Sequence, residues 1–141
     1  MISPSKFEYL GRFSRNKTQP DSTSNPYGPF GSRASLKSIH NSCGPYGSRW
    51  SENGFANPVT RGGAKLYGNK GQFLGNLNSN RADPDSISNP YGRYGSKWSL
   101  LSVNNPYGVY GSLTSNQSAN NPYATDAPVI RGCKQRKASS A

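Results

Sequence analysis

The chain has 141 residues and a formal net charge of +11, and Leu, Ile, Val and Phe together account for only 21 of those residues. This composition excludes a large aliphatic core and is, by itself, typical of disordered chains. Nine tyrosines and two tryptophans supply further apolar surface, so we expect an ordered chain with a thin, turn-rich core. The longest apolar runs are only a few residues long, which predicts that no segment spans a membrane.

The first strand is predicted near the start of the chain. Residues 1–8 form an N-terminal extension, and the segment Phe7–Phe13, FEYLGRF, has the aromatic content of a strand. The polar start, MISPSKFEYLGRF, lacks the apolar stretch of a signal peptide. We therefore expect a cytoplasmic protein by default.

A 16-residue period runs through most of the remaining chain. It is carried by asparagines in two sets, Asn25, Asn41 and Asn57 in the first and Asn89, Asn105 and Asn121 in the second. The two sets are 64 residues apart, and residues 9–66 and 73–130 are identical at 24 of 58 aligned positions. This pattern predicts a duplicated module, each copy of which is built from short repeats.

Each repeat has the composition of a series of turns. Asn-Pro-Tyr-Gly has the residue preferences of a type I turn. The structural turn positions are Asn25, Gly28, Asn89, Gly92, Asn105 and Gly108. We expect some of these glycines to need a positive φ or to lie close to another backbone segment.

Serines follow each turn at steps of three, as at Ser32, Ser35 and Ser38. This step matches neither the helix nor the strand period. It fits turns of 3₁₀ type or an extended, polyproline-like segment. We favour serine side chains that cap nearby backbone groups over a ligand-binding or phosphoacceptor face. The apolar residues after the last serine are the recurrent core candidates: Ile39, Phe55, Ile87 and Val103.

The predicted fold class is mainly β and irregular: a turn-rich duplicated module of 16-residue repeats with few short strands and little helix. Module 1 spans residues 9–66 and module 2 spans residues 67–131. A β-hairpin at about residues 64–77, turning at Asn69–Gly71, joins them, and Ala127–Arg131 corresponds to its first arm. We expect the modules to pack with approximate twofold symmetry and residues 132–141 to form a basic disordered tail.

Catalytic and metal chemistry are not predicted. His40 is the only histidine, and it occupies a position where other units have Asn or Ala, which indicates a surface residue. Asp83 and Asp85, with Asp21 matching Asp85 in the first copy, supply too few carboxylates for a calcium loop. An Asp beside a Ser at the entry to a turn is more often a cap. We expect no catalytic residues, no cofactor and no metal site.

Basic and aromatic side chains are the candidate interaction residues. Arg33, Arg49 and Lys97 directly follow Gly-Ser in their units, and Trp50 and Trp98 follow two of them. Such interleaving suits a polyanion that offers rings for stacking, single-stranded nucleic acid above all. Lipid A, anionic polysaccharide or an acidic protein partner would bind to the same positive charge. The full set of interaction candidates is Tyr91, Tyr94, Tyr107, Tyr110, Trp50, Trp98, Arg33, Arg49, Arg93 and Lys97.

The segments Asp85–Ser99 and Asn121–Ile130 resemble a repeat of uncharacterised bacterial proteins, with the pattern Asp-Ser-Ile-x-Asn-Pro-Tyr-Gly-x-Tyr-Gly-Ser. In that family the units are closed by Asn-Pro-Tyr-Ala and a Pro-Val-Ile strand. The resemblance covers most of residues 73–130 and, more weakly, 9–66, where residues 41–44 and 57–60 depart from the pattern. It implies no particular activity or ligand, and it makes export the alternative to a cytoplasmic location.

Repetition without catalytic residues favours a non-enzymatic structural or assembly protein. Such a protein would polymerise, or decorate a larger complex, through its tyrosine-rich repeats. The alternative is a polyanion-binding protein, with nucleic acid as the leading ligand, that uses the repeat-positioned Arg, Lys and Trp. Salt separates the two, because phosphate contacts weaken steeply with added salt and a tyrosine-lined protein contact changes little.

Overall fold

Four short strands and no helix occur in the described part of the chain. The structure is a computed structural model that describes residues 7–60 and 63–133. The strands are β1 (Phe7–Arg12), β2 (Ala64–Tyr67), β3 (Phe73–Leu77) and β4 (Val129–Cys133). Most other described residues lie in turns or bends. The prediction of a mainly β and irregular fold with few short strands and little helix is confirmed.

The strand boundaries differ slightly from those expected. The β2–β3 hairpin forms as predicted, and Gly71 in its turn has a φ of 82°. Strand β4 begins two residues later than predicted and continues to Cys133, which pairs with Phe7 of β1. Residues 132 and 133 are therefore ordered by pairing and do not belong to a disordered tail. Residues 1–6, 61–62 and 134–141, with most of the expected extension and tail, lie outside the described residues.

One antiparallel sheet has the order β1-β4-β2-β3, so its centre joins strands that are distant in sequence. The central partners are Lys65↔Arg131, Leu66↔Ile130 and Tyr67↔Val129. Leu66 and Ile130 are 64 residues apart, so they are equivalent residues of the two copies and pair with each other. Lys65 is likewise equivalent to Val129, and Tyr67 to Arg131. The first and third central pairs are therefore equivalent to each other. The register of the sheet therefore follows a twofold relation between equivalent strands.

Outside the sheet, the backbone follows a series of linked β-turns. The N–H of Ser35 donates to the Ser32 carbonyl (3.4 Å), that of Ser38 to Ser35 (3.2 Å), and that of Asn41 to Ser38 (3.3 Å). Each turn begins at the residue where the preceding turn ends. These are 3₁₀-type hydrogen bonds at every third residue, whereas a polyproline-like segment would have none.

Serine side chains cap these turns. The Oγ atom of Ser35 accepts the N–H of Lys37 (3.2 Å), and that of Ser38 accepts the N–H of His40 (3.0 Å). Ser38 is completely buried, so its hydroxyl is not part of an accessible ligand or phosphoacceptor face. The prediction that the serine row caps the backbone is confirmed.

Asparagine side chains make two hydrogen bonds at each repeat corner. Asn89 Oδ1 accepts the N–H of Tyr91 (2.9 Å), and Asn89 Nδ2 donates to the carbonyl of Asp83 (3.1 Å). The same two bonds, with offsets of +2 and −6 residues, recur at Asn25, Asn41, Asn57, Asn105 and Asn121. One side chain thus fixes the turn that it starts and the two turns before it.

The glycines of the Asn-Pro-Tyr-Gly turns differ in their steric constraint. A Cβ atom on Gly28 or Gly92 would lie 2.6 Å from a backbone carbonyl oxygen, whereas on Gly108 its nearest neighbour would be 3.4 Å away. None of the three has a positive φ, which occurs instead at Gly11 and Gly75, among others. Close backbone approach is therefore the constraint at Gly28 and Gly92, and Gly108 has room for a side chain.

The core combines apolar residues of the sheet with one recurrent position of the turns. The sheet contributes five fully buried side chains: Leu10, Leu66, Leu74, Leu77 and Ile130. Of the four core candidates in the repeats, Ile39, Ile87 and Val103 are buried in the same cluster, and Phe55 packs against it. The predicted core positions are therefore confirmed.

Successive units lie beside one another, because side chains reach back to the preceding unit. The bonds that span 17 residues are Asn104 Nδ2 to the Ile87 carbonyl (2.8 Å), Asn120 Nδ2 to the Val103 carbonyl (3.0 Å), and His40 Nε2 with the Thr23 carbonyl (2.8 Å). His40 is exposed as predicted, but it also joins two units, so it is more than a surface residue.

Candidate binding surfaces

In the two units that carry a pair of tyrosines, the members of each pair have opposite environments. Tyr94 and Tyr110 are each only 8% exposed. The Tyr94 ring packs edge-on against Phe73 at 5.1 Å, and the Tyr110 hydroxyl is hydrogen-bonded by the side-chain amide of Gln72. These tyrosines belong to the core and are not available as interaction residues.

The tyrosines of the Asn-Pro-Tyr turns point outward. Tyr91, Tyr107 and Tyr123 are 94%, 88% and 84% exposed, and Tyr27 is 96% exposed. In each case the tyrosine N–H donates to the Oδ1 atom of the asparagine two residues earlier. The rings therefore stand at the same corner of their units. Tyr91, Tyr107 and Tyr123 occupy three successive units.

The tryptophans and basic candidates are also exposed. Trp50 and Trp98 are both 85% exposed, and the guanidinium carbon of Arg49 lies 5.4 Å from the Trp50 ring centroid. Arg33, Arg93 and Lys97 are exposed as well, with the Arg93 guanidinium carbon 6.0 Å from the Tyr94 ring. Arg93 thus lies over the ring of a buried tyrosine.

Two adjoining grooves, of about 670 and 850 Å³, lie between residues 13–24 of the first half and residues 81–122 of the second. Both are lined by Arg15, Leu113 and Asn104. Lys17 lines the smaller groove, and Arg81, Lys97 and Trp98 line the larger. Among the residues that the structure describes, no aspartate or glutamate lines either groove. We call this pair the cationic groove.

The cationic groove assembles only part of the predicted basic set. Lys97 and Trp98 line it, but Arg33 and Arg49 do not. The three other cations of the groove are Arg15, Lys17 and Arg81, none of which the sequence analysis singled out. The sequence does mark two of these cations as equivalent positions. Lys17 and Arg81 are 64 residues apart and follow equivalent asparagines, Asn16 and Asn80.

Asp83 is a buried structural acid. Its side chain is 3% exposed and accepts hydrogen bonds from Asn76 Nδ2 (3.0 Å), Asn78 Nδ2 (3.1 Å) and the Asp85 N–H (3.0 Å). Burial alone would raise the pKa of this carboxyl. The three hydrogen bonds and the charge of Lys65 outweigh burial and hold the pKa below its usual value of 3.8.

The aspartates considered for calcium have other roles. Asp21 accepts the hydroxyl proton of Tyr9 (2.5 Å) and lies 3.6 Å from the Arg12 guanidinium. Partial burial, followed by this hydrogen bond and the Asp21 charge, raises the pKa of Tyr9 to about 12. Asp85 is exposed. Within residues 7–60 and 63–133, no group of three or more His, Cys, Asp or Glu is arranged to hold a metal ion.

Comparison with protein-family models, with curated proteins and with solved structures gives no match to this chain. The resemblance to the bacterial repeat proteins therefore stays a prediction. Among the described residues there is no helix with the length and apolarity needed to cross a membrane.

Proposed function

We propose that the chain is a non-enzymatic assembly protein whose copies associate through the outward tyrosines of the repeats. The observation that carries this proposal is the tyrosine row, which we define as Tyr91, Tyr107 and Tyr123. These rings stand at one corner of three adjoining units and are 84–94% exposed. Adjoining exposed apolar groups commonly mark interaction surfaces, and tyrosine is a frequent anchor residue in protein interfaces.

A second copy of the chain is a suitable partner for this surface because rings and cations occur on the same units. Arg93 and Lys97 belong to the unit of Tyr91, and Arg33 belongs to that of Tyr27. An exposed cation over an aromatic ring contributes about 0.5–1 kcal/mol. Within one chain, Arg131 already lies 5.5 Å from the Tyr67 ring centroid. The same cation–ring contact between two copies would let each surface supply both a cation and a ring.

Net charge opposes this association. Each copy carries +11, and like charges repel over a Debye length of about 30 Å at 0.01 M salt but only about 3 Å at 1 M. Tyrosine contacts are much less sensitive to salt than this repulsion. Self-association should therefore grow as salt is added.

The test compares oligomeric state at low and high salt by sedimentation velocity. We expect the native chain to be monomeric at low salt and to form larger species at high salt. Replacing all three tyrosines of the row with serine should keep the chain monomeric at both salt concentrations. Replacing them with phenylalanine retains the rings and should retain association. Because the side chains are exposed, all three proteins should melt at similar temperatures.

Two results would contradict self-association. One is a native chain that stays monomeric at every salt concentration, as a protein that decorates a different complex would. The other is a serine variant that associates as strongly as the phenylalanine variant, which would place the contact elsewhere on the molecule.

A further inference from the structure

We infer that the cationic groove is a binding site for single-stranded nucleic acid, in which Trp98 stacks on a base and the surrounding cations neutralise phosphates. The residues that line this site differ from the tyrosines of the assembly surface. Pro90, Pro106 and Pro122 line the groove, but the tyrosines that follow them do not.

The charge distribution of the groove calls for an anionic ligand. Arg15, Lys17, Arg81 and Lys97 line it, all four are exposed, and none forms an ion pair with a carboxylate of the described residues. The ion pairs among residues 7–60 and 63–133 use Arg12 and Lys37. Four like charges around one groove repel each other and attract a chain of phosphates, which releases counterions on binding.

The aromatic and apolar lining favours a ligand that also offers ring faces. Trp98 lines the larger groove and is 85% exposed, so its ring is accessible to a ligand there. Ile87 and Leu113 line both parts of the groove and supply apolar surface beside the cations. Bases in a single strand present their faces for stacking, whereas a duplex hides them and a sulfated polysaccharide has none.

The chain supplies matched controls for both kinds of contact. Trp50 and Trp98 follow the same Gly-Ser-cation motif and are equally exposed, but only Trp98 lines the groove. Arg49 and Lys97 likewise hold equivalent repeat positions, and only Lys97 lines the groove. A general effect of surface charge or aromaticity would affect both members of each pair equally.

The experiment measures binding of a fluorescently labelled oligothymidine to the full chain by anisotropy over a series of salt concentrations. We expect affinity to fall with salt, with a log–log slope near −3 if about four phosphates are neutralised, at about −0.7 per phosphate. Lys97→Ala should make the slope shallower by about 0.7, and Arg49→Ala should leave it unchanged. Trp98→Ala should weaken binding about 5- to 150-fold, the effect of losing one stacked base, and Trp50→Ala should not.

A second readout detects stacking directly. In a Trp50→Phe variant, Trp98 is the only tryptophan, so its fluorescence should be quenched by oligothymidine and unaffected by heparin. Equal losses of oligothymidine affinity in Trp98→Ala and Trp50→Ala would replace this inference with nonspecific polyanion binding. The same conclusion would follow if heparin bound more tightly than oligothymidine and its binding did not depend on Trp98. An absence of oligothymidine binding at low salt would overturn it. The tyrosine-row serine variant should still bind, so failure of self-association and failure of this site are distinguishable.

Discussion

At the residue scale, asparagine fixes the backbone at the corner of each unit. Asn105 is 4% exposed and uses both ends of its amide, accepting from Tyr107 N–H and donating to the Ser99 carbonyl. A serine makes the same two contacts at Ser51, whose Oγ atom accepts the N–H of Asn53 (3.2 Å) and donates to the Pro45 carbonyl (2.6 Å), six residues back. Aspartate offers two acceptors and would place one against a carbonyl oxygen. The asparagine amide carries its donor and its acceptor on separate atoms and so satisfies both backbone groups.

Asp83 provides a pH-dependent test at this scale. Its pKa is lowered in the folded chain, so ionised Asp83 stabilises the fold above its unfolded pKa, and that stabilisation is lost as pH falls through the lower folded pKa. We expect Asp83→Asn to be less stable than the native chain at neutral pH by about 1.5–3 kcal/mol, as for hydrogen bonds to a charged group. Chemical denaturation at a series of pH values measures both stabilities.

The difference between the two proteins should shrink as pH falls below about 4, near the ordinary pKa of an aspartate. Asp85→Asn is the control, because Asp85 is exposed and its substitution should change stability by less than about 0.5 kcal/mol. Parallel pH profiles for Asp83→Asn and the native chain would show that ionised Asp83 does not stabilise the fold.

At the scale of the element, the series of linked β-turns depends on close approach between backbone segments at particular glycines. A Cβ on Gly95 would lie deep inside contact distance of the Asn89 carbonyl oxygen, whereas on Gly108 it would be in ordinary contact at 3.4 Å. Gly95, the second glycine of its unit, is therefore more constrained than Gly108, which ends an Asn-Pro-Tyr-Gly turn. Rigid backbone atoms cannot move aside without breaking the capping bonds of Asn89.

We expect Gly95→Ala to lower the free energy of unfolding by about 1–3 kcal/mol, as overpacking does. Gly108→Ala should be neutral or stabilising by up to about 1 kcal/mol, because the unfolded chain loses freedom and the folded chain has room. Urea denaturation of the two variants measures the difference. Equal stabilities would mean that the backbone at Gly95 is not packed as closely as the structure indicates.

At the scale of the whole molecule, the central strands couple the two halves. Leu66 and Ile130 are both 0% exposed and face each other across β2 and β4. The sheet order places one strand from each half at the centre, so neither half has a complete sheet alone. Module boundaries at residues 66 and 67 stay a prediction, but the two halves should not unfold independently.

We expect one cooperative unfolding transition for the full chain, with far-UV dichroism and tryptophan fluorescence giving the same midpoint. Leu66→Ala and Ile130→Ala should each cost about 2–5 kcal/mol, the usual range for such cavities, and the two costs should be similar because the positions are equivalent. Two separate transitions would contradict the coupling of the two halves. A substitution that shifts the midpoint of only one spectroscopic signal would also contradict it.

Local rules were sufficient to predict much of this fold from sequence. The type and position of the hairpin follow from a glycine-containing turn between apolar segments, and the serine caps follow from a hydroxyl at every third residue. The core positions Ile39, Ile87 and Val103 follow from their recurrence in a unit with few other apolar residues. Each of these predictions depends on residues close together in the chain.

Composition and local pattern were sufficient to predict a turn-rich, mainly β chain with little helix, because glycine, proline and asparagine dictate backbone conformation over a few residues. Tertiary packing was needed to show which tyrosine of a unit is buried, since Tyr91 and Tyr94 both hold regular positions but only Tyr94 packs against Phe73 of β3. It was also needed to find the cationic groove, because Arg15 of the first half and Lys97 of the second line the same groove. Proximity of this kind depends on long-range packing, which no local pattern of residues encodes.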